Sequence, residues 1–222
     1  MGEQVVRRED FTIEGAPAEE IEAAVAGLVD AVEEHEPGTL VYAWYRHVDD
    51  PRRWTVWEVY PDQEAASQHF ATRDVRQASK PLKGRLDHDG GVSTKVEGIA
   101  GKGVAGMGLG PRASGLPPGD KVVVRAEFTM ADAPAAEVEA VVAGLVAAVE
   151  EEETGTLTYA WYRHVEEPNR WTVLEVYADD ESQKQHLRGP KVREASKPLG
   201  DLIDFAGGTG LRMQAIAGKG VS

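Results

Sequence analysis

One stretch of this chain occurs twice. Residues 38–60 read GTLVYAWYRHVDDPRRWTVWEVY and residues 155–177 read GTLTYAWYRHVEEPNRWTVLEVY, displaced by 117 residues with no gap. Carried along the chain, the same displacement matches more than half of positions 1–105 to their partners. A unit of about 100 residues is the size of a domain, not of a solenoid repeat. Whatever fold one copy adopts, the other must adopt as well. The chain is therefore one domain fused to a copy of itself.

Within the repeated stretch two runs alternate. Leu40, Tyr42, Trp44 and Arg46 fall on one face, against Val41, Ala43, Tyr45 and His47 on the other. In the second run Trp54, Val56, Glu58 and Tyr60 share a face, opposite Thr55, Trp57 and Val59. Period-two runs rich in aromatic and β-branched residues predict strands, and Asp49-Asp50-Pro51 between them predicts a turn. The resulting hairpin carries one carboxylate, Glu58, on an otherwise aromatic face, and a buried carboxylate needs a partner.

The rest of each copy extends the pattern. A strand is predicted at 5–13 and again at 122–130, followed by Pro17 and Pro134, which suit a first helical turn. Ile21, Val25, Leu28 and Val32 then recur at helical spacing, as do Val138, Val142, Leu145 and Val149. Gly27 and Gly144 interrupt these helices, which predicts close backbone packing on the sheet. Asp62 and Asp179 are candidate N-caps of a second helix bearing His69 and His186. A break is expected near 71–74, Pro81 and Pro198 are expected to end the helix, and a weaker last strand is expected at 93–100 and 210–217. The order β-α-β-β-α-β is ferredoxin-like. Residues 100–119 read as a Gly- and Pro-rich linker, and their GxGxxG string opens no helix, so it is not a nucleotide site.

Composition excludes several partners. A net charge of −14 with no basic stripe argues against nucleic acid and anionic membranes. No apolar run approaches the ~20 residues needed to cross a bilayer, and the first residues lack a signal peptide's apolar segment. The chain contains no cysteine, which rules out disulfides and thiolate zinc sites and fits a cytoplasmic protein. It also lacks H-x-H and H-E-x-x-H spacings, so no metal site is expected.

Glu36-x-Gly-Thr-Leu-x-Tyr42, then Glu58-Val-Tyr60, then Asp62-x-Glu64 and His69, recur in the same order in the second copy. This pattern resembles the antibiotic biosynthesis monooxygenase family over nearly all of both copies. The resemblance implies an α+β chain of two ferredoxin-like domains, 1–103 and 120–222, joined by a linker at 104–119. Their sheets would face each other, forming an intramolecular pseudo-dimeric α+β barrel, as a monomer or a dimer of such chains. It implies a cofactor-independent monooxygenase that oxidises an aromatic polyketide, anthrone or quinol with dioxygen. A non-catalytic small-molecule-binding or stress-associated protein, or an isomerase, are alternatives on the same fold.

Carried over residue by residue, the family's strand glutamate and helix histidine imply Glu58 and His69, with Glu175 and His186, as catalytic groups. The pocket would be lined by Tyr42, Trp44, Arg46, Trp54, Tyr60 and Phe70, with Tyr159, Trp161, Arg163, Trp171 and Tyr177 in the copy. Two departures matter. Ser79 and Ser196 stand where heme-degrading members have an axial histidine, and Asn169 is the only asparagine, although many oxygenase members use one in the pocket.

The residues themselves lead to three further expectations. Glu58 should approach His69, and Glu175 should approach His186, because a buried pair of this kind can move a proton. His47 and His164, on the opposite face, should be structural and lie between the sheets. The pockets should differ, because Trp57/Leu174, Phe70/Leu187, His35/Glu152, His88/Phe205 and Arg85/Leu202 differ between copies, and the N-terminal pocket should bind ligand more tightly.

Overall fold

The computed structural model of the chain describes residues 4–69, 71–87, 93–102, 108–109, 121–131 and 133–219. The first half contains β1 (Val5–Ile13), α1 (Ala18–His35), β2 (Val41–His47), β3 (Arg53–Tyr60), α2 (Gln63–Gln68), α3 (Arg73–Ala78), β4 (Leu86–Asp87) and β5 (Ser93–Lys102). Gly108–Leu109 forms the two-residue β6, parallel to the end of β5; most of the expected linker lies outside the described residues. The second half contains β7 (Val122–Met130), α4 (Ala135–Glu152), β8 (Thr156–His164), β9 (Arg170–Tyr177), α5 (Asp180–Arg188), α6 (Pro190–Gly200) and β10 (Ile203–Lys219). Both halves are ferredoxin-like, as expected. No helix among the described residues is long and apolar enough to cross a membrane.

The last strand of each half is shared with the other half. β10 runs beside β7 as far as Met213 and then beside β2 from Met213 to Lys219. Likewise β5 pairs with β1 over Ser93–Val96 and with β8 over Val96–Lys102. The ladders therefore run β1–β3–β2–β10–β7–β9–β8–β5 and return to β1. The exchange covers edges that would otherwise present unpaired N–H and C=O groups.

Strand alternation then sorts the side chains. Val6, Val41, Ala43, Tyr45, Trp57 and Val59 of one sheet face Val123, Ala160, Tyr162, Leu174, Val176 and Met213 of the other in a shared core. Trp57 and Tyr162 meet across it with ring centroids 4.6 Å apart. The opposite sheet faces are covered by α1 and α4, whose buried stripes are Ile21, Val25, Leu28, Val29 and Val32, and Val138, Val142, Leu145, Val146 and Val149.

A buried ionic cluster links the two halves. Arg8 on β1 pairs with Glu127 on β7, and Arg125 on β7 pairs with Asp10 on β1 at 2.5 Å. Arg125 also donates to Thr55 Oγ1 at 3.1 Å, and Arg8 donates to Thr172 Oγ1 at 3.4 Å. Arg8 and Arg125, and Asp10 and Glu127, are repeat partners, and Arg170 on β9 also reaches Glu127, at 2.8 Å. Although burial raises Asp10 and Glu127, the two arginines hold both carboxyls below their ordinary range. His47 and His164 reach the same threonines at 3.0 and 2.9 Å. Burial and the neighbouring arginines lower both histidines to about 4. They lie between the sheets, as expected.

Two local expectations fail. Gly27 and Gly144 are exposed, and a Cβ on either would meet nothing within 4 Å, so no close packing explains them. Pro198 lies inside α6 instead of ending it, two residues before the helix's last residue. The helix breaks as expected, though at 69–72 and not at 71–74, and Asp62 and Asp179 cap their helices by accepting from the Ala65 and Ser182 backbone N–H groups.

Candidate functional site

On the helix-covered face of the first sheet, four elements bring one histidine between two carboxylates. Glu36 is the residue that ends α1, and Thr39, at the entry to β2, donates its hydroxyl to Glu36 Oε2 at 3.1 Å. His69 ends α2, where its backbone N–H still bonds to the Ala65 carbonyl. Its Nδ1 lies 2.5 Å from Glu36 Oε2, and its Nε2 lies 3.8 Å from Glu58 Oε1 on β3. Tyr60, two residues along the same face, donates its hydroxyl to Glu58 Oε2 at 3.0 Å. The rings of Tyr42 and Tyr60 stand 5.0 and 5.6 Å from the imidazole. The side chains of His69 and Glu58 are only 5% and 7% exposed.

Burial, and then the charge of Glu9, raise Glu58 to about 7. Burial lowers His69, although Glu36 opposes the shift. Tyr60 is pushed up by burial and by Glu58. An imidazole that favours its neutral form and gives its Nδ1 hydrogen to a carboxylate has an Nε2 lone pair that can accept a proton. That lone pair points toward a carboxyl that is half protonated near neutral pH. The arrangement can accept, hold and return a proton.

The second half repeats it. Glu153 receives Thr156 Oγ1 at 2.5 Å and lies 2.8 Å from His186 Nδ1, and Tyr177 donates to Glu175 at 2.7 Å. Tyr159 and Tyr177 stand 5.0 and 5.5 Å from the His186 ring. Burial raises Glu175, and His186 acts on it electrostatically in the opposite sense.

The expected pair is thus half right. Glu58 does approach His69, but the close partner is Glu36 in one half and Glu153 in the other. Neither was assigned a role from sequence, although both head the repeated Glu-x-Gly-Thr motif. The expected aromatic lining is divided. Tyr42, Tyr60, Tyr159 and Tyr177 surround the histidines, whereas Trp44, Trp54, Trp161 and Trp171 are buried in the helix–sheet cores. Trp44 packs against Phe11 and Trp54 at 5.2 and 6.3 Å, which corrects its assignment to a pocket wall. Arg46 pairs with Glu22 on α1 at 2.5 Å, and Arg163 pairs with Glu139 on α4 at 2.7 Å. The helices therefore hold both arginines by ion pairs. Phe70, His88 and the side chain of Phe205 lie outside the described residues. Trp57 and Leu174 belong to the core between the sheets, and Arg85 pairs with Glu20 at 2.7 Å, so neither pair of differences bears on the histidines.

A cavity of about 210 Å³ borders the first site, lined by His35, Glu36, Gly38, Gln68, His69 and Thr72 among others. Its counterpart, about 190 Å³, is lined by Glu153, Gly155, Ser182, Gly189 and Lys191 among others, and His186 is not in its wall. Among the described residues no group of three or more His, Cys, Asp or Glu side chains could hold a metal ion.

The antibiotic biosynthesis monooxygenase family pattern matches residues 6–81 and 121–198, together more than two thirds of the chain. A candidate monooxygenase from Lactobacillus acidophilus superposes with a TM-score of 0.82 at 14% identity, covering 98% of this chain and 96% of that one. Another from Fusobacterium nucleatum gives 0.76 at 17% identity, over 99% and 95% of the two chains. An anthrone oxidase-like protein gives 0.57 at 9% identity, over 97% and 92%. Likeness at such identities establishes a shared fold. No curated protein is significantly similar to the chain.

Proposed function

The chain belongs to the antibiotic biosynthesis monooxygenase family, and from that premise we propose that it oxidises an anthrone- or quinol-type aromatic ring with dioxygen, using no resident cofactor. The observation that carries this reading is the buried Glu36–His69–Glu58–Tyr60 chain, with Nδ1 of the histidine fixed by Glu36 at 2.5 Å.

In such substrates the keto tautomer has a ring CH₂ group. His69 Nε2 takes one of its protons, leaving an electron-rich enolate. The enolate gives an electron to dioxygen, and the two radicals combine to form a C–O bond. The imidazolium returns its proton to the distal oxygen, giving a hydroperoxide. Loss of the second C–H proton breaks the O–O bond, so one oxygen stays as a carbonyl and the other leaves as water. The sum is CH₂ plus O₂ giving C=O plus H₂O. Glu58, neutral for about half the time near pH 7, can donate a hydrogen bond to the enolate oxygen. The adjoining cavity, about 210 Å³, is the space beside His69 that such a ring system would enter.

Oxygen uptake with a hydroxynaphthalene, a hydroquinone and an anthrone tests the reading. We expect one O₂ consumed per quinone formed, and His69→Ala should lower kcat by about 10²–10⁴-fold. No uptake with any of the three would instead favour a binding protein that keeps the fold without turnover.

A further inference from the structure

The helices that carry the two histidines differ more than the sites they serve. In the second half α5 and α6 have nine and eleven residues and are separated only by Gly189. In the first half α2 and α3 have six residues each, with residues 69–72 between them. Lys191, in the first turn of α6, reaches back to the last residues of α4. Its Nζ lies 3.1 Å from Glu151 Oε1 and also pairs with Glu152 Oε1. At the corresponding positions the first half has Asp74, Glu34 and His35. An aspartate there carries the same charge as Glu34 and cannot bridge the two elements.

We propose that Lys191 is a latch: it holds α6, and with it the α5 helix bearing His186, against α4, so that His186 is reached only when its ion pairs part. Three observations converge on this. The pair spans the C-terminal cavity, since Glu152 of α4 and Lys191 of α6 both line it. That cavity stops short of the imidazole, whereas its unlatched counterpart has His69 in its wall. The two helices are also continuous in hydrogen bonding. The Gly189 N–H donates to the Gln185 and His186 carbonyls, and the Gly189 carbonyl accepts from the Arg193 N–H at 2.9 Å. A displacement of α6 is therefore passed to His186.

Both histidine side chains are buried, 5% exposed for His69 and 8% for His186, so a molecule that touches either must first move what covers it. The cover is closer in the second half. A Cβ at Gly155 would lie 2.3 Å from Ser182 Oγ on α5, against 3.4 Å from Ala65 Cβ at Gly38. A lysine between two exposed carboxylates is a weak clamp, screened by solvent and by salt. Weakness is what a latch needs, because two such pairs bias an opening equilibrium by a small factor and release it readily. The inference goes beyond the oxygenase reading and does not depend on it, since access to an imidazole is measurable whatever reaction it serves.

The test labels the full chain with diethyl pyrocarbonate, which acylates accessible neutral imidazoles, and follows His69 and His186 by peptide mass spectrometry. In dilute buffer His69 should react faster than His186. Lys191→Gln should accelerate His186 by about threefold to tenfold and leave His69 unchanged. Salt at about 1 M should accelerate His186 in the parent but add little in Lys191→Gln, where the latch is already gone. Amide exchange over residues 190–200 should quicken in the same variant. Conversely, Asp74→Lys combined with His35→Glu builds a latch in the first half and should slow His69. Equal labelling of the two histidines in the parent would overturn the proposal. So would an unchanged His186 rate in Lys191→Gln, or an acceleration of His69 as large as that of His186.

Discussion

A carboxyl that stays protonated to about pH 7 leaves a signature in stability as well as in chemistry. The ordinary value for a glutamate is 4.5, and burial raises Glu58 to about 7 in the folded chain. The folded state therefore binds this proton more tightly than the unfolded state. Stability consequently falls as pH rises through that window, with no cost below about 4.5 and the full cost above 7. A shift of this size corresponds to about 3 kcal/mol, and Glu175 adds a contribution of the same sign. Glu58→Gln retains an oxygen to accept from Tyr60 and cannot ionise. We expect it to be more stable than the parent at pH 8 by on the order of 2–3 kcal/mol, with the difference vanishing near pH 4. Urea unfolding at the two pH values measures this, and a difference that does not depend on pH would show that Glu58 is ionised in the folded chain. The cost is consistent with a carboxyl retained for its chemistry, since a buried acid kept only for packing would have an apolar replacement.

At the scale of elements, the two 18-residue helices carry glycine where nothing requires it. Gly27 and Gly144 face solvent with open space around a would-be Cβ. Replacing each by alanine should stabilise the chain by about 0.5–1 kcal/mol, additively, because the sites lie in different helices. Thermal melting of the double variant checks this, and destabilisation would point to a contact made by residues outside the described set. Helical spacing identified Ile21, Val25, Leu28 and Val32 correctly, because burial imposes a period. The same period already sets residue 27 off the stripe, about 200° around the helix from Val25, so the expectation of close packing there ran against the spacing. Period-two alternation likewise sorted Val41, Ala43 and Tyr45 from Tyr42 and Trp44, but not pocket aromatics from core aromatics, since both lie on one face. Glu36 was visible twice in the Glu-x-Gly-Thr motif, yet a glutamate after a helix reads as an ordinary surface residue until the return of α2 brings His69 onto it. Arg7 and Arg8 are adjacent and alike in sequence. Only the pleat sends Arg7 to the helix-covered face and Arg8 to the buried ionic cluster.

The repeat made a paired fold legible at the scale of the whole molecule, but strand pairing across the repeat has no local signal. The final strand of each half begins in its own sheet and finishes in the other, so neither half completes its sheet alone. The shared core and the ionic cluster add to this interdependence. A half taken alone would expose Val6, Tyr45 and Trp57, and would leave Arg8 with Asp10 but without Glu127. The halves are also complementary, because Trp57 faces Tyr162 while Leu174 occupies the corresponding position in the second half. Two N-terminal halves would bring two tryptophans into the space that now holds one tryptophan and one leucine, and overpacking of that kind costs typically 1–3 kcal/mol. We therefore expect a chain cut between 110 and 119, at an inserted protease site, to remain a one-to-one complex at micromolar concentration. Its melting temperature should fall on dilution, as association becomes bimolecular. Native mass spectrometry of the cut chain decides the matter. Two separate folded halves would refute the strand exchange, whereas homodimers of each half would refute the complementarity of Trp57 and Leu174 and leave the exchange intact.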